Sequence, residues 1–169
     1  MRTNIVICDT GPVLHLAELD CLNLLKDFQQ VILPPTVVKE ITKHRPDILN
    51  CQDVSFTLLT FASPLDITLL TLCRVFALHT GELEALALMQ KYPHAIFLTD
   101  DSAARLVAQK MGYIVHGTIG ILIRAIRRKF LKPQNVVEKL RMIPTASSLH
   151  IKPSLLEEII SKLNKEFNL

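Results

Sequence analysis

Six of the sixteen acidic residues in this chain fall where an apolar run ends or a helix begins. They are Asp9 in ICDTGP, Glu40 in PPTVVKEI, Glu82 and Glu84 in TGELEA, and the adjacent pair Asp100 and Asp101 in FLTDDSA. The pair poses the sharpest physical problem. At an effective dielectric near 20, two unit charges about 4 Å apart repel by roughly 4 kcal/mol. Solvent or a cation must offset that repulsion. Carboxylate oxygens are hard donors, suited to Mg2+ or Mn2+. A divalent ion held by such acids polarises a phosphoryl oxygen and lowers the pKa of water, which is the chemistry of phosphoester hydrolysis. Taken singly, each acid has a plainer explanation. Asp9 suits a helix N-cap, Glu82 and Glu84 complement a helix dipole, and Glu40 suits a solvated helix face. The doublet resists this treatment, because a cap needs only one of the two.

The elements that must bring these acids together are short. Asn4–Cys8, Val31–Leu33, Phe56–Phe61, Ala95–Thr99 and Tyr113–Val115 are brief apolar runs, several of them rich in β-branched residues, which predicts buried strands. Helical spacing or start signals cover Val13–Leu19, Cys21–Phe28, Pro35 to about His44, Leu65–Phe76, Thr80 to Tyr92, Ser102–Met111, Ile121–Phe130, Pro133 to about Met142, and Ser154 to about Phe167. Arg45–Ser63 carries the least pattern. Strands alternating with helices predict a three-layer α/β/α sandwich around a parallel sheet of four to five strands. In such folds ligands bind beyond the carboxyl ends of the strands. Asp9, Asp100 and Asp101 all fall there.

Composition narrows the classes. The 169 residues suit one compact unit, and mean hydropathy is +0.31 with hydrophobic residues at 49%, so a large core is available. No uncharged apolar run is long enough for a membrane span. The N-terminus lacks a secretory leader's apolar region and cleavage site, so the expected location is cytoplasmic. Cys8, Cys21, Cys51 and Cys73 are scattered, with no CxxC pair, which argues against zinc and a disulfide framework. A net charge of +3 permits a nucleic-acid partner. With aromatic residues at 5% and no Trp, a base-stacking platform is disfavoured. Arg105 follows the doublet by one helical turn. Arg124, Arg127, Arg128, Lys129 and Lys132 form a basic run that reads equally as a solvated face or as phosphate contacts. His15 and His116 are read as structural.

The segments ICDTGPVLHL, VILPPTVVKEI, HTGELEALALMQKY and AIFLTDDSAARLVAQKMGY resemble, in order and spacing, the PIN-domain nucleases, within them the VapC-type toxins and related PIN-like proteins of bacteria and archaea. The turn VHGTIGILIRAIRRKFL resembles the GT-x-G segment of one such subfamily. The resemblance implies a PIN-like nuclease domain over residues 1–131, with a helical extension over 132–169 packed on it. It implies Mg2+- or Mn2+-dependent endoribonuclease activity, with Asp9, Glu40, Glu82, Asp100 and Asp101 catalytic. Asp9, Glu82, Asp100 and Asp101 are the implied metal ligands, the doublet's division of labour staying open. Thr10 and Arg105 are the implied substrate contacts. Implied partners are RNA and a small antitoxin; separately, the apolar composition and the Leu-rich stretches Leu65–Phe76 and Ile121–Ile126 predict a homodimer face. Position 82 carries Glu where many relatives carry Asp. The alternative is a catalytically inert PIN-like module that binds RNA or protein. A phosphatase using Asp-x-Asp after its first strand is disfavoured by Asp9-Thr10-Gly11, and a receiver domain by the late position of the doublet.

Overall fold

A computed structural model describes residues 4–60, 63–64 and 66–169. Five strands form one all-parallel sheet: β1 (Ile5–Cys8), β2 (Gln30–Leu33), β3 (Phe56–Leu58), β4 (Ile96–Leu98) and β5 (Ile114–His116), ordered β3-β2-β1-β4-β5. Eight α-helices accompany them among the described residues: α1 (Thr10–Glu18), α2 (Pro35–His44), α3 (Ile67–Val75), α4 (Thr80–Lys91), α5 (Ser102–Lys110), α6 (Thr118–Arg127), α7 (Pro133–Ala146) and α8 (Pro153–Phe167). The result is an α/β/α sandwich.

The central strands are buried on both faces, as parallel sheets require. Side chains alternate across β1, so Val6 and Cys8 join one core while Ile7 joins the other. The first core also takes Val13 and Leu16 of α1, Val37 and Ile41 of α2, Ile121 and Leu122 of α6, and Val136 and Leu140 of α7. The second takes Leu69 of α3, Leu86 and Met89 of α4, Phe97 of β4, and Val107 of α5. Leu156 and Leu163 of α8 belong to the first core, and Glu18 at the end of α1 accepts hydrogen bonds from Ser147 Oγ and the Ser148 N–H (2.8 and 2.7 Å). The C-terminal helices are thereby tied to the first helix.

Several boundaries differ from the sequence expectation, each for a local reason. α1 begins at Thr10, three residues early, because the Asp9 carboxylate accepts the Thr10 N–H. The Cys21–Phe28 stretch forms a 3-10 helix over Leu22–Asp27 in place of an α-helix. α6 starts at Thr118, directly after β5. α7 continues to Ala146 with Pro144 inside it, since a proline in a last turn removes only one ladder bond near the end. Strand β3 ends at Leu58, and the expected extension to Phe61 lies partly outside the described residues, as does Leu65. Ile121 and Leu122 are core residues, 1% and 0% exposed, so α6 cannot offer them to a second copy of the chain. On α3, by contrast, Ile67 and Val75 are exposed. Among the described residues, no helix is long and apolar enough to cross a membrane.

Candidate active site

The sheet register sets the site. Cys8 pairs with Leu98, and Leu98 with His116, so Asp9, Thr99 and Gly117 leave the carboxyl edge side by side. The Asp9 N–H donates to the Leu98 carbonyl (2.9 Å), fixing the backbone of Asp9 against the end of β4. One Asp9 carboxylate oxygen accepts the Thr10 N–H (2.7 Å) and the other accepts the Thr99 hydroxyl (3.2 Å). Thr99 Oγ1 in turn accepts the Asp101 N–H (3.1 Å). Thr99 is wholly buried. A single hydroxyl thus couples the first acid of the chain to the doublet, and sequence reasoning missed it. The signal was available as a polar residue closing an apolar run, but its partner is 90 positions away.

Glu40 and Glu82 arrive from helices. Thr10 Oγ1 donates to Glu40 Oε2, which draws the α2 acid toward the start of α1. α2 is itself anchored from α4, because buried Glu84 accepts from the Thr36 N–H (2.8 Å) and the Thr36 hydroxyl (2.9 Å). Glu84 therefore satisfies donors at the N-terminus of a neighbouring helix. Glu82 closes a capping box on its own helix, Oε2 accepting the His79 N–H (2.8 Å). This first turn lies next to Asp9 and α2: a Cβ at Gly81 would make ordinary van der Waals contact with Asp9 Oδ1 (3.8 Å) and Val37 (3.4 Å).

These acids repel one another. Burial raises the Asp9 pKa, and the charges of Glu40 and Asp101 raise it further against the hydrogen bonds from Thr10 and Thr99. Burial, with Asp9 and Asp101 adding to it, pushes Glu82 up to about 7. Asp9, Glu40, Glu82 and Asp101 are one electrostatically coupled group, with Glu40 and Asp101 on its exposed side. Among the described residues no three His, Cys, Asp or Glu side chains close into a ready-made metal cage. The group supplies hard oxygen donors, the donor type that suits Mg2+ or Mn2+.

Raised pKa values of this kind have a stability consequence. A carboxyl whose pKa is higher when folded favours the folded state least once it is ionised, so the penalty from Glu82 begins above its unfolded value of 4.5 and is complete above about 7. Glu82→Gln keeps an acceptor for the cap and removes the titration. In EDTA it should match wild type near pH 4 and exceed it by roughly 2 kcal/mol near pH 8. Thermal melts across that range check this, and parallel curves for the two proteins would refute it.

Asp100 faces another set of partners. Its carboxylate meets His15 Nδ1 at 2.7 Å and accepts the Thr118 N–H (2.8 Å) and Thr118 hydroxyl (2.6 Å). Burial raises its pKa, but the hydrogen bonds from His15 and Thr118 outweigh this and hold it below the usual carboxylate range. Asp101 instead caps α5, accepting the Ala104 N–H (2.7 Å). Arg105 Nη2 donates to the Thr99 carbonyl (3.0 Å). Gly117 permits the packing: a Cβ there would lie 2.5 Å from Asp100 Oδ1, 2.8 Å from Arg105 Nη2 and 3.1 Å from the Thr99 carbonyl. Gly117→Ala is expected to cost about 1–3 kcal/mol through overpacking. Gly120→Ala, whose nearest contact is 3.4 Å, is the milder comparison. Equal melting temperatures for the two variants would contradict this account.

The basic run is divided. Asp27, whose side chain is 2% exposed, accepts from Arg124 Nε and Arg128 Nε, both at 2.6 Å, and the Arg124 guanidinium lies 5.0 Å over the Phe28 ring. Two of the five cations are thus committed to one buried carboxylate. Burial, with Arg124, Arg105 and Arg127 beside it, holds the His116 pKa below its ordinary value.

A family model described as DUF3368: PIN domain matches residues 5–165. No curated protein and no solved structure matches the chain.

Proposed function

We propose a function from one premise: the chain belongs to the PIN-domain family, whose fold is a nuclease fold. The proposed activity is hydrolysis of RNA phosphodiester bonds by an endoribonuclease that depends on Mg2+ or Mn2+. The observation that carries it is the Thr99 hydroxyl joining Asp9 to Asp101, inside a group of four coupled acids at the carboxyl edge of a parallel sheet.

In this reading Asp9 and Asp101 hold the cation, with Glu82 and Glu40 completing the oxygen set. When bound, the ion polarises a phosphoryl oxygen and lowers the pKa of water. Asp9 is positioned by the Thr10 N–H and the Thr99 hydroxyl, so its oxygens need little reordering on binding. Thr10 orients Glu40 through its own hydroxyl. Asp100 braces the site: it fixes α6 to the end of β4 through Thr118 and takes up His15. A cation held there would offset the repulsion from Asp9 and Asp101 that helps raise the Glu82 pKa in the metal-free protein.

Cleavage of a labelled single-stranded RNA with Mg2+ or Mn2+, lost in EDTA, is the expected result. RNA binding that ignores the metal, without cleavage, would establish the inert binding module instead. The resemblance to VapC-type toxins extends the reading to a toxin restrained by a small antitoxin, acting as a homodimer. Exposed Ile67 and Val75 on α3 supply apolar surface for such contacts. A native preparation with no small companion protein counts against the antitoxin.

A further inference from the structure

The two edges of the sheet carry opposite charge. Asn4 and Gln29 immediately precede β1 and β2, and the Gln29 N–H donates to the Asn4 carbonyl (2.9 Å), which marks the amino edge. Asp27 sits there, its carbonyl accepting from the Asn4 side-chain amide. α6 links the two edges. Its first residue, Thr118, is bonded to Asp100 at the carboxyl edge, whereas Arg124 and Arg128 at its far end reach Asp27. Ten residues rising about 1.5 Å each keep the two ends about 15 Å apart.

Cations crowd this far end. Lys26, Arg127, Arg128, Lys129 and Lys132 are all exposed, and they come from the 3-10 helix, the end of α6 and the connection to α7. Residues 124–132 include five Lys or Arg and no acid. Among the described residues, only Arg128 of the exposed five has a carboxylate within salt-bridge distance, and that partner is buried Asp27. Asp27 takes the Nε donor of Arg128, and the terminal amino groups of that fork have no protein acceptor among the described residues. Lys26 is held 5.5 Å over the Phe130 ring. Packing thus fixes two of these charges in place.

Such a surface suits a polyanion, and its composition favours RNA over an acidic protein. Protein interfaces deplete lysine and centre on apolar side chains. Here Phe130, lying under Lys26, is the one exposed large apolar side chain in residues 124–132. Nucleic-acid interfaces are polar and strongly positive, and guanidinium forks match phosphate geometry. The coupled acids at the carboxyl edge repel a phosphate strand in the absence of metal, so attraction has to come from elsewhere on the molecule. We propose that Lys26, Arg127, Arg128, Lys129 and Lys132 form a second RNA site at the amino edge, holding backbone phosphates remote from the bond to be cut. Its role rests on the ribonuclease reading. A stacked strand rising roughly 3.4 Å per nucleotide covers the length of α6 in about five nucleotides. A tetranucleotide bound at the acids therefore falls short of the second site, and a strand of about 20 nucleotides reaches it.

The test compares the parent with the triple variant Arg127→Gln/Lys129→Gln/Lys132→Gln, which leaves the Asp27 pairs intact. Binding of a labelled single-stranded RNA of about 20 nucleotides is followed by fluorescence anisotropy from about 50 to 200 mM KCl. The measurement is made in EDTA and in an Asp9→Asn background, so that no strand is cut. Three lost phosphate contacts are expected to flatten the log–log slope by about 2 and to weaken binding at least tenfold, roughly, at the lowest salt. Arg127→Lys/Lys129→Arg/Lys132→Arg keeps the charge and should keep the parent's slope. Lys91→Gln/Lys110→Gln/Lys165→Gln removes three exposed charges from α4, α5 and α8 and should leave the slope unchanged. A parent-like slope for the first variant, an equal effect of the last, or no RNA binding by the parent would overturn the proposal. Binding of poly-glutamate in place of RNA would also overturn it, and would assign the surface to an acidic protein.

Cleavage is scored separately with Asp9 intact and Mg2+ or Mn2+ present. The first variant should raise KM for the long RNA roughly tenfold, in line with its weaker binding, and leave kcat/KM for a tetranucleotide unchanged. Equal losses on the two substrates would place its defect at the acids and overturn the second site. Cleavage with unaltered slopes rejects the second site and leaves the ribonuclease reading standing. Altered slopes without cleavage of either RNA by the parent reject the ribonuclease and leave the RNA site standing.

Discussion

Asp9→Asn is expected to lower metal-dependent RNA cleavage by roughly 10^3-fold while making the metal-free protein harder to unfold. The two effects share one cause. A carboxylate that helps hold a divalent ion supports several kcal/mol of transition-state charge stabilisation, and about 4 kcal/mol corresponds to three decades in rate. Without the ion, that carboxylate is an ionised group buried beside Glu40 and Asp101, which is why its pKa is raised. Asparagine keeps the oxygen that accepts the Thr10 N–H and ranks with aspartate as an N-cap, so α1 stays capped. The variant loses the repulsion and keeps the helix start. In EDTA its melting temperature should exceed wild type. With saturating Mg2+ wild type should gain stability in proportion to RT ln(1 + [L]/Kd), and the variant should gain little. Misfolding cannot mimic this pattern, since it would lower stability. Undiminished cleavage by the variant, or a lower melting temperature in EDTA, would remove Asp9 from the centre of the site.

Asp27→Ala is expected to be among the most damaging single changes to the fold. The Asp27 side chain is 2% exposed and receives N–H donors from Arg124 and Arg128, while Arg124 also lies over Phe28. Removing one partner of a buried ion pair commonly costs 3–5 kcal/mol, on the order of what a charge left without compensation loses. Here the arginines are 30% and 53% exposed and can turn to water, so roughly 2–3 kcal/mol is the better expectation. For a chain of this size that is a fall of about 4–12 °C in Tm. Asp47→Ala, which breaks the exposed Arg45–Asp47 pair, should change Tm hardly at all. Similar melts for the two variants would mean that Asp27 does not anchor α6.

Much of the architecture is legible in the chain because its signals are local. Four residues of IVIC between polar neighbours suffice to mark a buried strand, and a proline at the first helical position marks the starts of α2, α7 and α8. The order of Asp9, Glu40, Glu82 and the doublet is legible for the same reason. What stays hidden depends on pairs far apart in sequence. Thr99 finds Asp9 across 90 residues, Asp27 finds Arg124 across 97, and Asp100 finds His15 across 85. The doublet shows the limit most plainly. Its existence is visible, but which member faces the other acids is a matter of backbone phase, because neighbouring side chains of extended backbone point to opposite sides. Glu84 is a second case: its place near a helix start suggests service to that helix, and its carboxylate serves α2 instead.

The sheet order has a consequence for when the proposed activity can appear. Asp9 and Glu40 belong to the first part of the chain, while Asp101 follows a strand that inserts beside β1 only after β2, β3, α3 and α4 have been made. A polypeptide that has left the ribosome only as far as α4 carries Asp9, Glu40 and Glu82 but neither Asp101 nor the β4–β5 edge. Under the proposed activity, such a nascent chain is harmless to the message that encodes it, and cutting power arrives only when the late strands dock.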